Sequence, residues 1–287
     1  MRYLDAAATG SALSMIDAIG AMRDAFTRDR DIPQRQQLGA SLFMPGRVGR
    51  TSGIKVVSTE PGSPSGIVVV FAQDGTPIGI VDGPTLTALR TGAVAGLATD
   101  LLAEPSASTF AMLGAGVMAP DQIAAVRAVR HIDRVLIWSR SFTTAATLAQ
   151  TVGATPVREA NDAVAAADVI TTATPAHVPL FDHAALPESV HINAVGAFTP
   201  EMAEIPAQTV ADAYVVVDDY DAASHEAGDL IQAGRRPDMD LTELLELGVP
   251  DHKGNTLFKS VGIASQDIAA ARTALANAED LDLGVRL

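Results

Sequence analysis

Gly114-Ala-Gly-Val-Met-Ala119 is a GxGxxA arrangement lying between the apolar run Thr109-Phe-Ala-Met-Leu113 and a helical pattern. In a strand–turn–helix setting, Gly114 permits the tight turn and Gly116 lets the backbone approach a pyrophosphate. Ala119 keeps the helix close to the sheet. The free amides and the positive dipole end of that helix attract phosphate. A Gly-rich turn in some other α/β domain reads the same way, so the weight of the motif comes from the strand and helix pattern that follows it.

The second strand of such a unit selects the dinucleotide. A carboxylate near its end suits the ribose hydroxyl of NAD, whereas basic or small polar residues suit the 2′-phosphate of NADP. Here the strand runs out in Trp138-Ser139-Arg140-Ser141-Phe142-Thr143, with no acid. Ser139, Arg140, Ser141 and Thr143 can donate to a phosphate, and Arg140 can pair with it bidentately. The pattern favours NADP(H) over NAD(H); the plain alternative is that Arg140 is a solvated side chain. Thr171-Thr-Ala-Thr-Pro175 and Ile192-Asn-Ala-Val-Gly196 end later strands. In a doubly wound sheet, ligands sit beyond the carboxyl ends of the strands. Both segments then border the nicotinamide, unless they are ordinary strand-ending turns.

The first third of the chain holds isolated cations in apolar settings. Arg90 is the only charged residue between Asp82 and Asp100, on a helical run of small and apolar residues. A fixed anionic partner is expected, either a nearby carboxylate or a ligand. Lys55 alternates with Ile54 and Val56 in a strand-like run and so points to the opposite face from them. It is either a substrate contact or a solvated lysine on an edge strand. Arg35, in Pro33-Gln-Arg-Gln, says little by itself.

Composition removes several partners. The chain has 287 residues, 20 Lys+Arg against 34 Asp+Glu, and a formal net charge of −14. Nucleic acid and anionic membrane surfaces draw their affinity from clustered basic residues, and none cluster here. Only Lys55, Lys253 and Lys259 are lysines. The absence of Cys excludes disulfides, thiolate metal sites and Cys nucleophiles, and it fits a reducing compartment. His131, His177, His183, His191, His225 and His252 show no metal-ligand spacing, so no metal site is expected. No GxSxG elbow is present. Asp5 and Asp17 interrupt the amino-terminal stretch where a secretory signal needs an apolar core. Arg90 and Asp100 make the most apolar helical window, Thr85 to Ala103, too polar to span a bilayer. A soluble cytoplasmic protein is expected.

These residues need elements to hold them. Ala6 to Arg28 has apolar residues at helical spacing, and Gly39 to Gly49, rich in Gly and Pro, is expected to be irregular. Gly53–Ser58 and Gly66–Ala72 read as strands, with Asp74-Gly75 as the turn before a third at Ile78. A helix over Thr85–Ala103 follows, its Ala and Gly content implying close packing. From about Ser108 strands and helices alternate, the signature of a parallel doubly wound sheet. Expected strands are Thr109–Leu113, Arg134–Trp138, Ala154–Pro156, Asp168–Ala173, Val190–Val195 and Ala213–Val217. Expected helices are Pro120–Arg130, Thr143–Val152 and Asn161–Ala166, with an amphipathic helix Gln266–Ala278 at the tail. The fold class is α/β: a mixed α/β lobe over residues 1–107 and a Rossmann-type doubly wound domain over 108–262.

Taken together, TLTALRTGAVAG (85–96), GAGVMA, ADVITTATP, HINAVGAFTPEMAEI and TLFKSVGIASQDIAAA resemble the ornithine cyclodeaminase/mu-crystallin family, from about Met15 to Ala278. The resemblance implies that the first lobe, completed by the carboxy-terminal segment 263–287, binds substrate and forms a homodimer. It implies NAD(P)-linked chemistry: cyclodeamination of ornithine, reduction of ketimines and cyclic imines, amino-acid dehydrogenation, or NADPH binding by a crystallin. Lys55 falls on the family's substrate-contacting lysine, Arg90 on the arginine that grips the substrate carboxylate, and Arg35 on an upstream substrate arginine. Val117 and Met118 match the loop over the pyrophosphate. Thr174, Ala194 and Val195 match the nicotinamide side, and Val261 and Gly262 the segment that closes over cofactor and substrate.

One departure is decisive within that resemblance. Cyclodeaminases have Gly-Asp after the Ile-Asn-Ala-Val-Gly segment, the Asp being their catalytic carboxylate, and this chain has Ala197-Phe198. Phe198 cannot act as a base. The resemblance therefore points to reduction of a small cyclic 2-imino carboxylate, with Lys55 and Arg90 at the substrate. Glu60 and Glu201 are further carboxylates that no motif places in the site.

Overall fold

The computed structural model describes residues 1–60, 65–249 and 254–287; His252 and Lys253 lie outside the described residues. The chain divides into two compact units, one formed by Met1–Val94 with Ile263–Leu287 and the other by Ala95–Gly262. The division falls inside the helix Gly83–Leu102, upstream of residue 107.

The first unit is built on an eight-stranded sheet. Its order is Val285–Arg286, Arg2–Leu4, Pro77–Asp82, Gly66–Phe71, Thr51–Ser58, Ser41–Val48 and Arg30–Asp31, with Gln36–Leu38 also pairing on Ser41–Val48. All pairings are antiparallel except Arg2–Leu4 with Pro77–Asp82. The helix Ala264–Asp280 packs across this sheet and against the helix Met15–Thr27. Leu4, Met22, Phe26, Val68, Val70, Val81, Ile268 and Leu275 are buried in this unit.

Two expectations are corrected here. Ala6 to Arg28 is not one helix but two, Ala6–Ala12 and Met15–Thr27, because Ser14 caps the second by accepting from the Asp17 amide. A side-chain cap at that position competes with continuation of the helix. Gly39 to Gly49 is not irregular: Ser41–Val48 is a full strand. Its Gly46 serves packing, since a Cβ there would lie 2.9 Å from the Ala264 Cβ. Small size lets the helix press onto the sheet.

The second unit is an eight-stranded sheet, parallel throughout. Its order is Thr155–Pro156, Arg134–Trp138, Thr109–Leu113, Val169–Thr172, His191–Ala194, Thr256–Lys259, Tyr214–Val217 and Met239–Asp240. This is the Rossmann arrangement, reversing direction between Thr109–Leu113 and Val169–Thr172, where ligands bind at the carboxyl ends. Apolar side chains fill both faces: Phe110, Met112, Ile123 and Ile137 on one, Leu113, Leu136, Ile170, Ile192 and Leu257 on the other. Among the described residues no helix is long and apolar enough to cross a membrane.

Candidate functional site

In the first unit, sheet and helix bring distant charges together. Thr51–Ser58 runs between Ser41–Val48 and Gly66–Phe71, so Lys55 is not on an edge strand. Its residue is 4% exposed. Its Nζ donates to Thr87 Oγ1 at 2.7 Å and to Asp267 Oδ1 at 3.0 Å. The strand alternation that aims Lys55 away from Ile54 and Val56 aims it at the helices Gly83–Leu102 and Ala264–Asp280. Arg90, also buried, donates through Nε to Asp267 Oδ1 at 3.1 Å and through Nη1 to Gln266 Oε1 at 2.8 Å. The fixed anionic partner expected for Arg90 within the protein is thus Asp267.

The electrostatics of this cluster are unbalanced. Burial brings the Lys55 pKa down from 10.5 to about 8; Asp267 opposes the shift, and the charges of Arg90 and Arg35 add to it. Burial alone pushes the Asp267 carboxyl up, but Lys55 and Arg90 reverse this and hold it below its ordinary range. Asp267 thus faces Lys55 and Arg90, and Arg35 is near enough to weigh on Lys55. An excess of positive charge in a buried setting is a receptor for an anion, because low dielectric strengthens the attraction. The groups can grip a carboxylate by charge-assisted hydrogen bonds.

In the second unit, the strand Thr109–Leu113 leads into the turn at Gly114, whose φ of +119° is open to glycine and strained for any other residue. A Cβ at Gly114 would also lie 2.7 Å from the Ala173 carbonyl oxygen. Gly116 has open space about its Cα and Val117 is 82% exposed. Helix Ala119–Val129 begins after Met118 with no side-chain cap; the Ala119 amide donates to the Gly116 carbonyl at 3.0 Å and Pro120 has no amide, so the positive dipole end of the helix is what it offers an anion. At the end of the neighbouring strand, Ser139 is half-buried and Arg140 and Ser141 are exposed, with no carboxylate in the run. Ser141 accepts from the Thr144 amide, capping the next helix. An open glycine at a helix start and donor side chains on the next strand end fit a nicotinamide dinucleotide.

The remaining strand ends in this unit are fixed by buried carboxylates that motif reading passes over. Glu204 Oε1 accepts from the Thr174 amide at 2.7 Å and the Thr174 hydroxyl at 2.8 Å, while Oε2 accepts from Gly196 N at 2.8 Å and Ala197 N at 3.1 Å. One side chain thereby ties together the ends of Val169–Thr172 and His191–Ala194, where Thr174, Ala194 and Val195 lie. Burial pushes the Glu204 carboxyl up, with Lys259 and Thr174 pulling the other way. Asp229 accepts from Glu204 N at 2.7 Å and pairs with Lys259 Nζ at 2.8 Å, and Lys259 donates to the Ala197 carbonyl. Asp218 Oδ2 accepts from Ser260 Oγ at 2.7 Å, Val261 N at 3.1 Å and Gly262 N at 2.8 Å, and so holds the segment containing Val261 and Gly262. Glu60, Glu201 and Phe198 are exposed.

Asp267 is the residue that sequence reading misses in the first unit. Its available signal is an acid in the first turn of a helix whose opening stretch, Ala264 to Ala271, is buried throughout.

Similarities to known proteins agree with these features. The model of the ornithine cyclodeaminase/mu-crystallin family matches residues 8–281. A Delta(1)-pyrroline-2-carboxylate reductase of Bacillus cereus is 37% identical over 224 residues, covering 72% of this chain and 69% of the relative. The ketimine reductase mu-crystallin of Macropus fuliginosus is 36% identical over 196 residues, covering 67% of this chain and 62% of that protein. The solved Thermococcus litoralis Delta(1)-pyrroline-2-carboxylate reductase, in complex with NADH and L-proline, superposes with a TM-score of 0.92 at 27% identity, covering 100% of both chains.

Proposed function

This chain belongs to the ornithine cyclodeaminase/mu-crystallin family, and we propose that it is an NAD(P)H-dependent oxidoreductase acting on C=N bonds. Its substrate is a small cyclic imino carboxylate, of the 1-pyrroline-2-carboxylate or 1-piperideine-2-carboxylate type, and its product the cyclic amino acid. The observation that carries this reading is the buried cluster of Lys55 and Arg90 around Asp267, whose excess of positive charge suits a small carboxylate. Reductases of this kind are also among its relatives.

Arg90, with Arg35, holds the substrate carboxylate, and Lys55 donates to the same group or to the ring nitrogen. Gly114, Gly116, Val117, Met118, Ser139, Arg140 and Ser141 hold the dinucleotide. Thr174, Ala194, Val195 and Val261 line its nicotinamide end, and Gly262 the substrate. When bound, the reduced nicotinamide supplies a hydride equivalent. An imine that arrives protonated needs no proton from the protein before reduction, which removes the need for the carboxylate that Ala197-Phe198 lacks. Orientation by fixed cations then contributes most of the acceleration, an effect worth up to ~7–11 kcal/mol.

The reading extends to NADP(H) as the preferred dinucleotide, since Ser139-Arg140-Ser141 offers donors and no acid. It also takes the first unit as the substrate-binding and dimerisation unit of a cytoplasmic homodimer, which light scattering tests. The primary test follows NADPH absorbance with 1-pyrroline-2-carboxylate, where turnover is expected. No turnover there, together with ornithine-dependent ammonia release, reverses the assignment.

A further inference from the structure

We propose that Asp267 reads the nitrogen of the substrate: its Oδ2 accepts the N–H of the protonated ring while Arg90 and Lys55 hold the adjoining carboxylate. This rests on the imine reductase reading above and adds the residue that tells a nitrogen ring from an isosteric oxygen or carbon ring.

The two oxygens of Asp267 are used unequally. Oδ1 takes both cations, Lys55 Nζ at 3.0 Å and Arg90 Nε at 3.1 Å. Oδ2 is buried and has no hydrogen-bond partner among the described residues. The side chain is 0% exposed, so bulk water does not serve that oxygen, and a ligand reaches it only as the side chains over it give way. A buried acceptor without a donor carries the full penalty of lost hydration. A ligand that brings a donor removes that penalty on binding.

The chemistry of the missing donor follows from what stands beside it. Lys55 and Arg90 converge on one edge of the same carboxylate and Arg35 adds positive charge nearby. The place therefore suits a molecule whose anion meets the cations and whose cationic N–H meets Oδ2. In a cyclic 2-imino or 2-amino acid, carboxylate and nitrogen are carried on one carbon, so a single small molecule presents both. A ring oxygen in place of nitrogen would turn lone pairs toward the Oδ2 lone pairs, and a methylene would leave Oδ2 unserved. Sites built around a substrate N–H reject analogues lacking it far more strongly than apolar pockets reject a missing methylene. Asp267 lies in the first turn of the helix Ala264–Asp280, where a negative side chain meets the favourable dipole end.

The test is a competition between product-like ligands in the NADPH-loaded wild-type protein, read by calorimetry. L-proline, (S)-tetrahydrofuran-2-carboxylate and cyclopentanecarboxylate share size and carboxylate and differ at the ring atom. L-proline is expected to bind at least about tenfold more tightly than either analogue, the scale of one hydrogen bond to a charged group. Without an acceptor, the surrounding cations would disfavour the proline ammonium, so equal binding, or preference for the oxygen ring, overturns the assignment. In Asp267→Asn the ratio of the proline affinity to that for tetrahydrofuran-2-carboxylate is expected to collapse, whatever the change common to all three ring acids. A preference that survives this substitution also overturns it. Should Asp267→Asn not fold, the wild-type ratio alone decides. Failure of the underlying reading looks different: none of the three ring acids binds and 1-pyrroline-2-carboxylate consumes no NADPH, an outcome that overturns the inference with it.

Discussion

Lys55 Nζ lies 3.0 Å from Asp267 Oδ1 although 212 positions separate the two residues in the chain. A buried lysine keeps its charge only when a carboxylate stands against it, and a buried carboxylate needs the same in return. Each charge of the pair thus compensates the other's burial, and the pair prepares the unit for an anion, because Arg90 shares the same oxygen and leaves positive charge in excess.

The pH dependence of the reaction follows from the Lys55 pKa of about 8. The groups facing Lys55 are Asp267 from the carboxy-terminal helix, Arg90 and Thr87 from Gly83–Leu102, and Arg35. As pH rises through about 8, Lys55 loses its proton and with it the attraction for the substrate carboxylate. kcat/KM, which reports the free enzyme, is expected to fall on this alkaline limb, mainly through KM. Stability moves the other way. Between about 8 and 10.5 the unfolded chain carries the Lys55 proton and the folded one does not, so this group makes unfolding harder as pH rises. Urea unfolding of wild type against Lys55→Met across that window isolates the effect. A wild-type minus variant difference that falls with pH contradicts the assignment.

Removing the cations one at a time separates binding from cofactor capture. Lys55→Ala and Arg90→Ala are each expected to lower kcat/KM by about 30-fold or more, equivalent to ~2 kcal/mol, the lower range for truncating one partner of a buried charge contact. NADPH affinity, measured by fluorescence, is expected to stay within a few-fold. Loss of NADPH binding in either variant, with the fold intact by circular dichroism, would remove these residues from the substrate role.

What could be read from the chain depended on the range of the interaction. Thr109–Leu113 and Arg134–Trp138 are strands with the bounds their apolar content suggests, because both faces are buried. Thr256–Lys259 is equally buried, yet Lys259 in its last position breaks the apolar run, and the Asp229 carboxylate with the Ala197 carbonyl explains how a lysine fits there. Ser41–Val48 is obscured by Pro45 and Gly46, and Gly46 is required by the helix Ala264–Asp280 pressed against it. Lys55 and Arg90 stand out because each is a lone charge in apolar surroundings. Asp267 and Glu204 do not, since ordinary helix and loop composition surrounds them and their partners, Lys55 and Arg90 for one and the loops at Thr174 and Gly196–Ala197 for the other, are set by the tertiary fold.

Cofactor choice can be tested at the end of Arg134–Trp138. Arg140 is exposed and free of any carboxylate neighbour in its own run, so its expected role is to meet a 2′-phosphate. Arg140→Ala should raise the KM for NADPH about tenfold, ~1.4 kcal/mol, and leave that for NADH nearly unchanged. Ser139→Asp should go further and favour NADH, by offering the ribose hydroxyls an acceptor and repelling the phosphate. Initial rates with both dinucleotides decide the matter, and an equal loss with both would assign Arg140 to the shared part of the cofactor.

Glu204 makes the last prediction, because it joins two loops at once. Its oxygens accept from four donors, Thr174 N and Oγ1 on one side and Gly196 N and Ala197 N on the other. Glu204→Gln keeps the shape but turns an amide NH2 toward one of these donor pairs, whichever way the side chain is flipped. Each buried donor left without an acceptor costs ~1–3 kcal/mol, so a loss of about 2 kcal/mol or more is expected, with Tm lowered by roughly 4 °C or more. The loops carrying Thr174, Ala194 and Val195 lose their common tie, so NADPH binding should weaken in parallel. Thermal unfolding with and without NADPH measures both: a lower Tm with the NADPH-induced rise preserved would confine Glu204 to the fold, whereas a reduced rise places it behind the cofactor.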